Sequence, residues 1–273
     1  MKKVFKLFMF GLLSLITLVL IFLSKILNSL GLHPEYEKSE YDYRGKKALI
    51  ITTSHDTLGD KKTKTGVYAS EMTVPYYEFL EANMVVDIAS IEGGQIPIEP
   101  NSIKYPVATS ADRRFLKDEV FLHKVQSSLC INDVDFLDYD IIYMAGGWGA
   151  AYDLGTSDVL GEKLTQANED GIVLGSACHG ALGFLKAKGI DGEPLVKDKR
   201  MTGVTNKQIK ELGITVTPMH PETELKKLGA DYQSETAFVD VFANLVVVDG
   251  NIVTGQNQNA GGEVAQKLMK LLR

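Results

Sequence analysis

The alternation of apolar and polar positions divides the chain into three zones. From Leu7 to Ser24 the run "LFMFGLLSLITLVLIFLS" has no charge and no polar face. As a helix, its 18 residues at ~1.5 Å each would span roughly 27 Å, close to the thickness of a bilayer's hydrocarbon core. Residues 1–32 therefore read as one transmembrane helix and its flanks. Residues 33–45, "HPEYEKSEYDYRG", are polar, acidic and aromatic without a period, the pattern of a linker.

From Lys46 to Arg273 short β-branched runs alternate with amphipathic stretches. "KALIITT" and "VVDIASI" read as strands around a helix in "SEMTVPYYEFLEAN". After a proline-containing polar insertion, the pattern predicts a helix from about Asp112 to Ser127, a buried strand in "DIIYMAGG", a helix over Asp158 to Asn168 and a strand in "GIVLGS". A further helix is expected after Ala177. "RMTGVT" and "TAFVDVF" are expected as strands, and "NLVVVDGNIVTG" as a hairpin turning at Asp249-Gly250-Asn251. "GGEVAQKLMKLL" closes as an amphipathic helix. Strands alternating with helices predict the α/β class: a doubly wound, mostly parallel sheet flanked by helices over residues 46–273, preceded by one transmembrane helix.

Charge sharpens the zoning. The formal total is -6; Lys2, Lys3, Lys6 and Lys25 give the first 32 residues +4 with no acid, leaving -10 for the remainder. An acidic main domain excludes binding to nucleic-acid phosphates. Lysines and the terminal amine ahead of the span place the N-terminus in the cytoplasm and the domain outside it. Ser29-Leu30-Gly31 could end a cleaved signal sequence, but the apolar run is long for one and Lys25 intervenes, which favours a permanent single-pass anchor through residues 7–24. Two cysteines, Cys130 and Cys178, do not make a disulfide scaffold in a domain of this size. No metal or cofactor is expected, and the oligomeric state stays open, a homodimer included.

Three stretches carry candidate chemistry. In "IVLGSACHGAL" a strand runs into a tight turn with Cys178 at its apex, and the small residues Ser176 and Gly180 stand two positions on either side. That is the steric requirement of a nucleophile elbow. The turn would aim the thiol at the start of the next helix, which favours a thiolate. A small buried structural thiol fits the same pattern. His179 is adjacent, but neighbouring side chains seldom face each other, so the dipeptide alone does not establish an ion pair. In "MAGGWGAAYDLG" a strand enters a glycine-rich loop, whose N–H groups could stabilise an oxyanion alongside the N–H of His179. The dinucleotide spacing G-x-G-x-x-G is absent there. Trp148, the only tryptophan, reads as a pocket wall or as simple packing. In "TGVYASEMTVP" Glu71 falls at the start of the first helix of the main domain, at the sheet edge where ligands of doubly wound folds gather. A glutamate stabilised by the helix dipole is the plainer reading of that position.

Together these stretches, with "YDIIYMAGGWGAAYDLG", "ACHGALGFL", "DGEPLVKDKRMTGVT" and "VVVDGNIVTGQNQNA", resemble the ThiJ/PfpI superfamily from about Lys46 to Arg273. The resemblance is to its glyoxalase III, deglycase and heat-shock-type branch. It implies a flavodoxin-like, class I glutamine amidotransferase-like fold with Cys178 as nucleophile, Glu71 as the acid beside its sulfur, and His179 as the histidine of a Cys-His-acid arrangement. It further implies Gly147 and the N–H of His179 as the oxyanion site, beside which Gly146 and Trp148 stand as pocket candidates from the sequence itself.

Two departures from the family pattern stand out. Trp148 occupies a loop position that is often histidine in relatives. The acid that orients the histidine is missing after "TGVT", where Asn206, Gln208 and Ile209 stand instead, with Glu211 further along. Asn206, His220 and Glu222 are the remaining polar candidates. The expectation is a cofactor-independent cysteine enzyme acting on small reactive carbonyls, either converting methylglyoxal to lactate or deglycating amines. The alternatives are an amidase or peptidase using the same nucleophile on an amide substrate, and a membrane-tethered, redox-sensing chaperone without turnover.

Overall fold

The computed structural model describes residues 2–59 and 62–272. Met1, Asp60, Lys61 and Arg273, among them the outer ends of the expected anchor and main domain, lie outside the described residues. Helix α1 (Lys2–Ser29) contains the apolar run. Among the described residues it is the one helix long and apolar enough to cross a membrane by length and composition, with mean hydropathy 2.0 over Leu12–Ser29. The following segment has no regular structure, as its lack of period predicts, yet it is tied down. The N–H of His33 donates to Asn259 Oδ1 at 2.9 Å, Tyr36 Oη to Glu78 Oε1 at 2.6 Å, and the N–H of Ser39 to Gln266 Oε1 at 3.0 Å.

The main body runs β1 (Lys47–Thr52), α2 (Ala69–Glu81), β2 (Val85–Ser90), α3 (Ser110–Phe115), α4 (Glu119–Gln126), β3 (Leu129–Cys130) and β4 (Ile141–Met144). It continues through α5 (Ala150–Asp153), α6 (Asp158–Glu169), β5 (Val173–Ala177), β6 (Arg200–Met201), α7 (Asn206–Glu211), α8 (Pro221–Lys227) and β7 (Asp231–Tyr232). The hairpin β8 (Val246–Asp249) and β9 (Ile252–Gly255) leads to α9 (Gly261–Leu271). Seven strands form one sheet in the order β3-β2-β1-β4-β5-β9-β8. All neighbours are parallel except β8 and β9, which pair antiparallel as Asp249-Gly250-Asn251 predicts.

In β1 every residue after Lys47 is buried, because helices cover both sheet faces and a parallel strand then reads as a continuous apolar run. One face packs Tyr76 and Phe79 of α2 with Val264 and Leu268 of α9. The other packs Leu160 and Leu164 of α6 with Phe184. Full burial of each such side chain stabilises by about 1.5–3 kcal/mol.

Four expectations change. The single helix over Asp112 to Ser127 is two, because Asp118 accepts the N–H of Phe121 at 3.1 Å and starts α4 afresh. The segment after Cys178 winds in tight 3-10 turns from Cys178 to Lys186 rather than as an α-helix. Of "RMTGVT" only Arg200 and Met201 pair, with β7 in a separate two-stranded sheet. "TAFVDVF" is no strand: Asp240 draws it into a tight turn, accepting from the N–H of Ala237 at 3.1 Å and Thr205 Oγ1 at 3.0 Å.

Candidate active site

The strand order reverses between β1 and β4, and ligands of doubly wound sheets bind at the carboxyl edge beside such a reversal. Three segments meet there: the entry to α2, the loop after β4 and the turn after β5. Cys178, immediately after β5, has φ +55°, a left-handed conformation that costs a non-glycine residue about 1–2 kcal/mol. Such strain persists only where the surroundings impose it. Here a Cβ on Gly180 would lie 2.1 Å from the carbonyl oxygen of Met144, so the turn rests directly on the end of β4 and only glycine fits. Gly147, at φ +99°, would place a Cβ 2.3 Å from the backbone nitrogen of Tyr68. The glycine loop is thus pressed against the start of α2, which carries Glu71 inward.

Glu71 is completely buried. Its Oε2 accepts the N–H of Gly146 at 2.9 Å. Its Oε1 has no partner at regular hydrogen-bond geometry, although the carboxyl borders the Cys178 sulfur closely enough for each group to influence the other's ionisation. Burial pushes the Glu71 pKa up to about 8, against the pull of the Gly146 N–H and the thiol. The carboxyl is therefore mostly protonated at neutral pH. Burial also raises the Cys178 thiol well above its ordinary value, helped by the Glu71 charge, while the N–H groups of His179 and Gly147 pull it down. The two groups are coupled, since a proton on Glu71 removes the charge that opposes a thiolate. Both groups therefore hold their protons at neutral pH, and the backbone donors of His179 and Gly147 that face the sulfur lower the cost of a thiolate when one forms.

His179 is buried, with Nδ1 3.5 Å from Cys178 Sγ. Burial, and then nearby His220, push its pKa down to about 3, so the imidazole is neutral. Its Nε2 has no partner, nor has Nε2 of His220. Trp148 stands over it, with ring centroids 5.1 Å apart and planes inclined at 60°.

Among the described residues no acid orients His179. Asn206 fails that role because its side-chain amide donates to Thr223 Oγ1 at 3.0 Å and its N–H to Glu222 Oε2 at 2.7 Å, on the exposed side of α7. Gln208 donates to Gln258 Oε1 at 3.1 Å, and Glu211 accepts the N–H of Asp240 at 2.8 Å. Ile209 faces the site instead.

Sequence reasoning missed the rest of the wall. Leu58, Val204 and Ile209 pack with Trp148 and Cys178, joined by partly buried Tyr152 and Ile214. The one available signal was Leu58 itself, a single leucine in the polar run "TTSHDTLGDKKTKTG".

Comparison with known proteins agrees with this geometry. The DJ-1/PfpI family pattern matches residues 63–271. The chain is 26% identical over 245 residues to the glutathione-independent glyoxalase hsp3102 of Schizosaccharomyces pombe, covering 84% of this chain and 98% of that protein. It is 27% identical over 234 residues to glyoxalase 3 of Candida albicans, covering 82% and 97%. The crystal structure of glyoxalase III from Candida albicans superposes with a TM-score of 0.76 at 26% identity, covering 84% of this chain and 98% of that one. Rapid Encystment Protein 24 kDa of Francisella tularensis superposes with a TM-score of 0.78 at 33% identity, covering 84% and 99%.

Proposed function

The chain belongs to the DJ-1/PfpI family, and from that premise we propose that it is a glutathione-independent glyoxalase that converts 2-oxoaldehydes such as methylglyoxal to 2-hydroxy acids. The carrying observation is the pairing of Cys178, held at a left-handed φ beneath two N–H donors, with a buried Glu71 that keeps its proton at neutral pH.

The chemistry follows from that pairing. The Cys178 thiol gives its proton to solvent, the thiolate attacks the aldehyde carbon, and the new alkoxide forms beside the N–H groups of Gly147 and His179. The alkoxide takes the Glu71 proton, giving a neutral hemithioacetal and leaving Glu71 as carboxylate. Glu71 then removes the proton from that carbon and returns it to the neighbouring carbonyl carbon through an enediol. The result is a thioester of Cys178 with the 2-hydroxy acid, which water hydrolyses to release the acid and restore the thiol, while Glu71 regains from solvent the proton given up at the first step. The sequence is redox-neutral overall and consumes one water.

An amidase or peptidase would need His179 oriented to protonate an amine, and its Nε2 has no acid partner. A redox sensor without turnover would need an accessible low-pKa thiol, whereas Cys178 is 7% exposed.

The test is lactate formation from methylglyoxal by the full-length protein in detergent micelles without glutathione. Steady lactate release is the expected result. No release across a pH range of 6 to 9 would overturn the proposal.

The length and hydropathy of α1 support a second part of the proposal, an anchor that keeps the domain at a membrane, outside the cytoplasm by the charge bias around the span. The protein is then expected to stay in the membrane pellet after an alkaline carbonate wash and to be digested by protease added to spheroplasts. Release by carbonate would refute the anchor, and full protection in spheroplasts would refute the orientation.

A further inference from the structure

Apolar side chains surround the thiol and form the mouth of its site. Cys178 is 7% exposed, and Leu58 and Trp148, which pack with it, are each 9% exposed, while Val204 and Ile209 behind them are almost fully buried. A carbonyl carbon bonded to Sγ with its oxygen at the N–H groups of Gly147 and His179 leaves its second substituent against these side chains. Among the described residues, none of the groups that chiefly set the charge of Cys178, His179 or Glu71 is a lysine or arginine. Lys207, two residues from Ile209, is turned away and holds Asp240 Oδ1 at 2.7 Å and the carbonyl oxygen of Ala237 at 2.7 Å. A carboxylate or phosphate brought to this mouth would lose its hydration without gaining a counter-ion among these side chains, and would crowd the thiolate that Cys178 forms to react. An aromatic or branched group would instead exchange water for Trp148, Leu58 and Ile209.

We infer that this mouth selects the substrate by its second substituent, preferring neutral carbonyl compounds with an aromatic or branched apolar group and rejecting anionic ones, with Leu58, Trp148 and Ile209 as specificity-determining residues. The inference rests on Cys178 as the nucleophile and deepens the glyoxalase reading. It implies that phenylglyoxal is turned over with a kcat/KM at least about tenfold above that of methylglyoxal, within the usual reach of apolar pockets, and that glyoxylate is not bound.

The deciding experiment reads the mouth without turnover. Full-length protein with Cys130→Ser is alkylated at Cys178 by 2-bromoacetophenone, iodoacetamide or iodoacetate, followed by intact mass and normalised to free cysteine. The normalised rates are expected to fall in that order, with at least about tenfold between the first and the last. Leu58→Lys, which puts a cation on the rim where its long side chain can reach water, is expected to raise the iodoacetate rate at least about fivefold. Equal normalised rates for the three reagents, or iodoacetate the fastest in the unsubstituted mouth, would overturn the inference whether or not Leu58→Lys folds. Selective alkylation without 2-hydroxy acid from either glyoxal would uphold the mouth and refute the glyoxalase. Turnover without any preference would refute the mouth alone.

Discussion

Full-length protein carrying Cys178→Ser is expected to form lactate from methylglyoxal at least roughly a thousandfold more slowly than the unsubstituted protein, because the nucleophile of a covalent route is removed. Serine differs from cysteine at one atom, and the backbone strain at φ +55° is the same for both. The N–H groups of His179 and Gly147 and the protonated Glu71 stay in place. What changes is the acidity of the attacking group. The thiol can ionise under the N–H groups that face it, whereas a serine hydroxyl ionises far above any pH at which the protein folds, and His179, pushed down to about 3, is too weak a base to take that proton. Cys130→Ser serves as the control. Cys130 lies on edge strand β3, four strands from β5 in the sheet order, and its sulfur points to the carbonyl oxygen of Ile91 at 3.6 Å, so its loss should leave turnover unchanged. Lactate assay at matched folded fraction, checked by circular dichroism, decides the matter. A serine variant with a tenth or more of the original rate would eliminate the thioester route.

The parts of this site that could be read from sequence are those where one steric or periodic demand dominates. Buried parallel strands announce themselves because both faces are covered, so β1 and β4 appear as unbroken apolar runs. The turn at Cys178 appears because a small residue is obligatory at Gly180. Asp249-Gly250-Asn251 gave its hairpin away for the same local reason. What stayed hidden depends on side chains meeting across long separations. The ionisation of Glu71 is the plainest case. A glutamate in the first turn of a helix should be stabilised as an anion by the helix dipole, but α2 turns that residue into the interior, and burial outweighs the dipole. The family resemblance named Glu71 without revealing that it holds its proton. Ile209 is a second case: its polar neighbours Asn206, Gln208 and Glu211, of which Asn206 was a candidate to orient His179, are each spent on fastening α7 to surrounding segments. "TAFVDVF" misled because β-branched and aromatic residues favour strands in general, whereas Asp240 gains more from Lys207, Thr205 and the N–H of Ala237 than a strand could offer it.

Glu71→Gln separates the proton chemistry from everything else the pocket does. The amide oxygen can still accept the Gly146 N–H that now reaches Oε2 at 2.9 Å, and the amide N–H groups can face the sulfur as the carboxylic acid does. Alkylation of Cys178 by iodoacetamide is therefore expected to remain within about threefold of the unsubstituted rate, since a glutamine imitates the neutral acid. Turnover is another matter, because an amide can neither protonate the alkoxide nor carry a proton between carbons, and a loss of roughly 10²–10⁴-fold is expected. Stability gives an independent reading. The folded carboxyl has its pKa up at about 8 while the unfolded group returns to its ordinary 4.5, so between those values the folded chain holds a proton that the unfolded chain releases. Stability from this group is complete below about 4.5 and is lost as pH rises through about 8, by about 1.4 kcal/mol per pH unit at the steepest. His179, with its pKa lowered to about 3, adds the opposite slope below its ordinary 6.5, but it does so in both proteins and cancels in their difference. Urea midpoints at pH 5, 6.5 and 8 should therefore show the unsubstituted protein falling steadily relative to Glu71→Gln. Parallel pH dependence in the two proteins would mean that Glu71 is already ionised in the fold. The first alkoxide would then have no proton to take, and the mechanism would lose its second step.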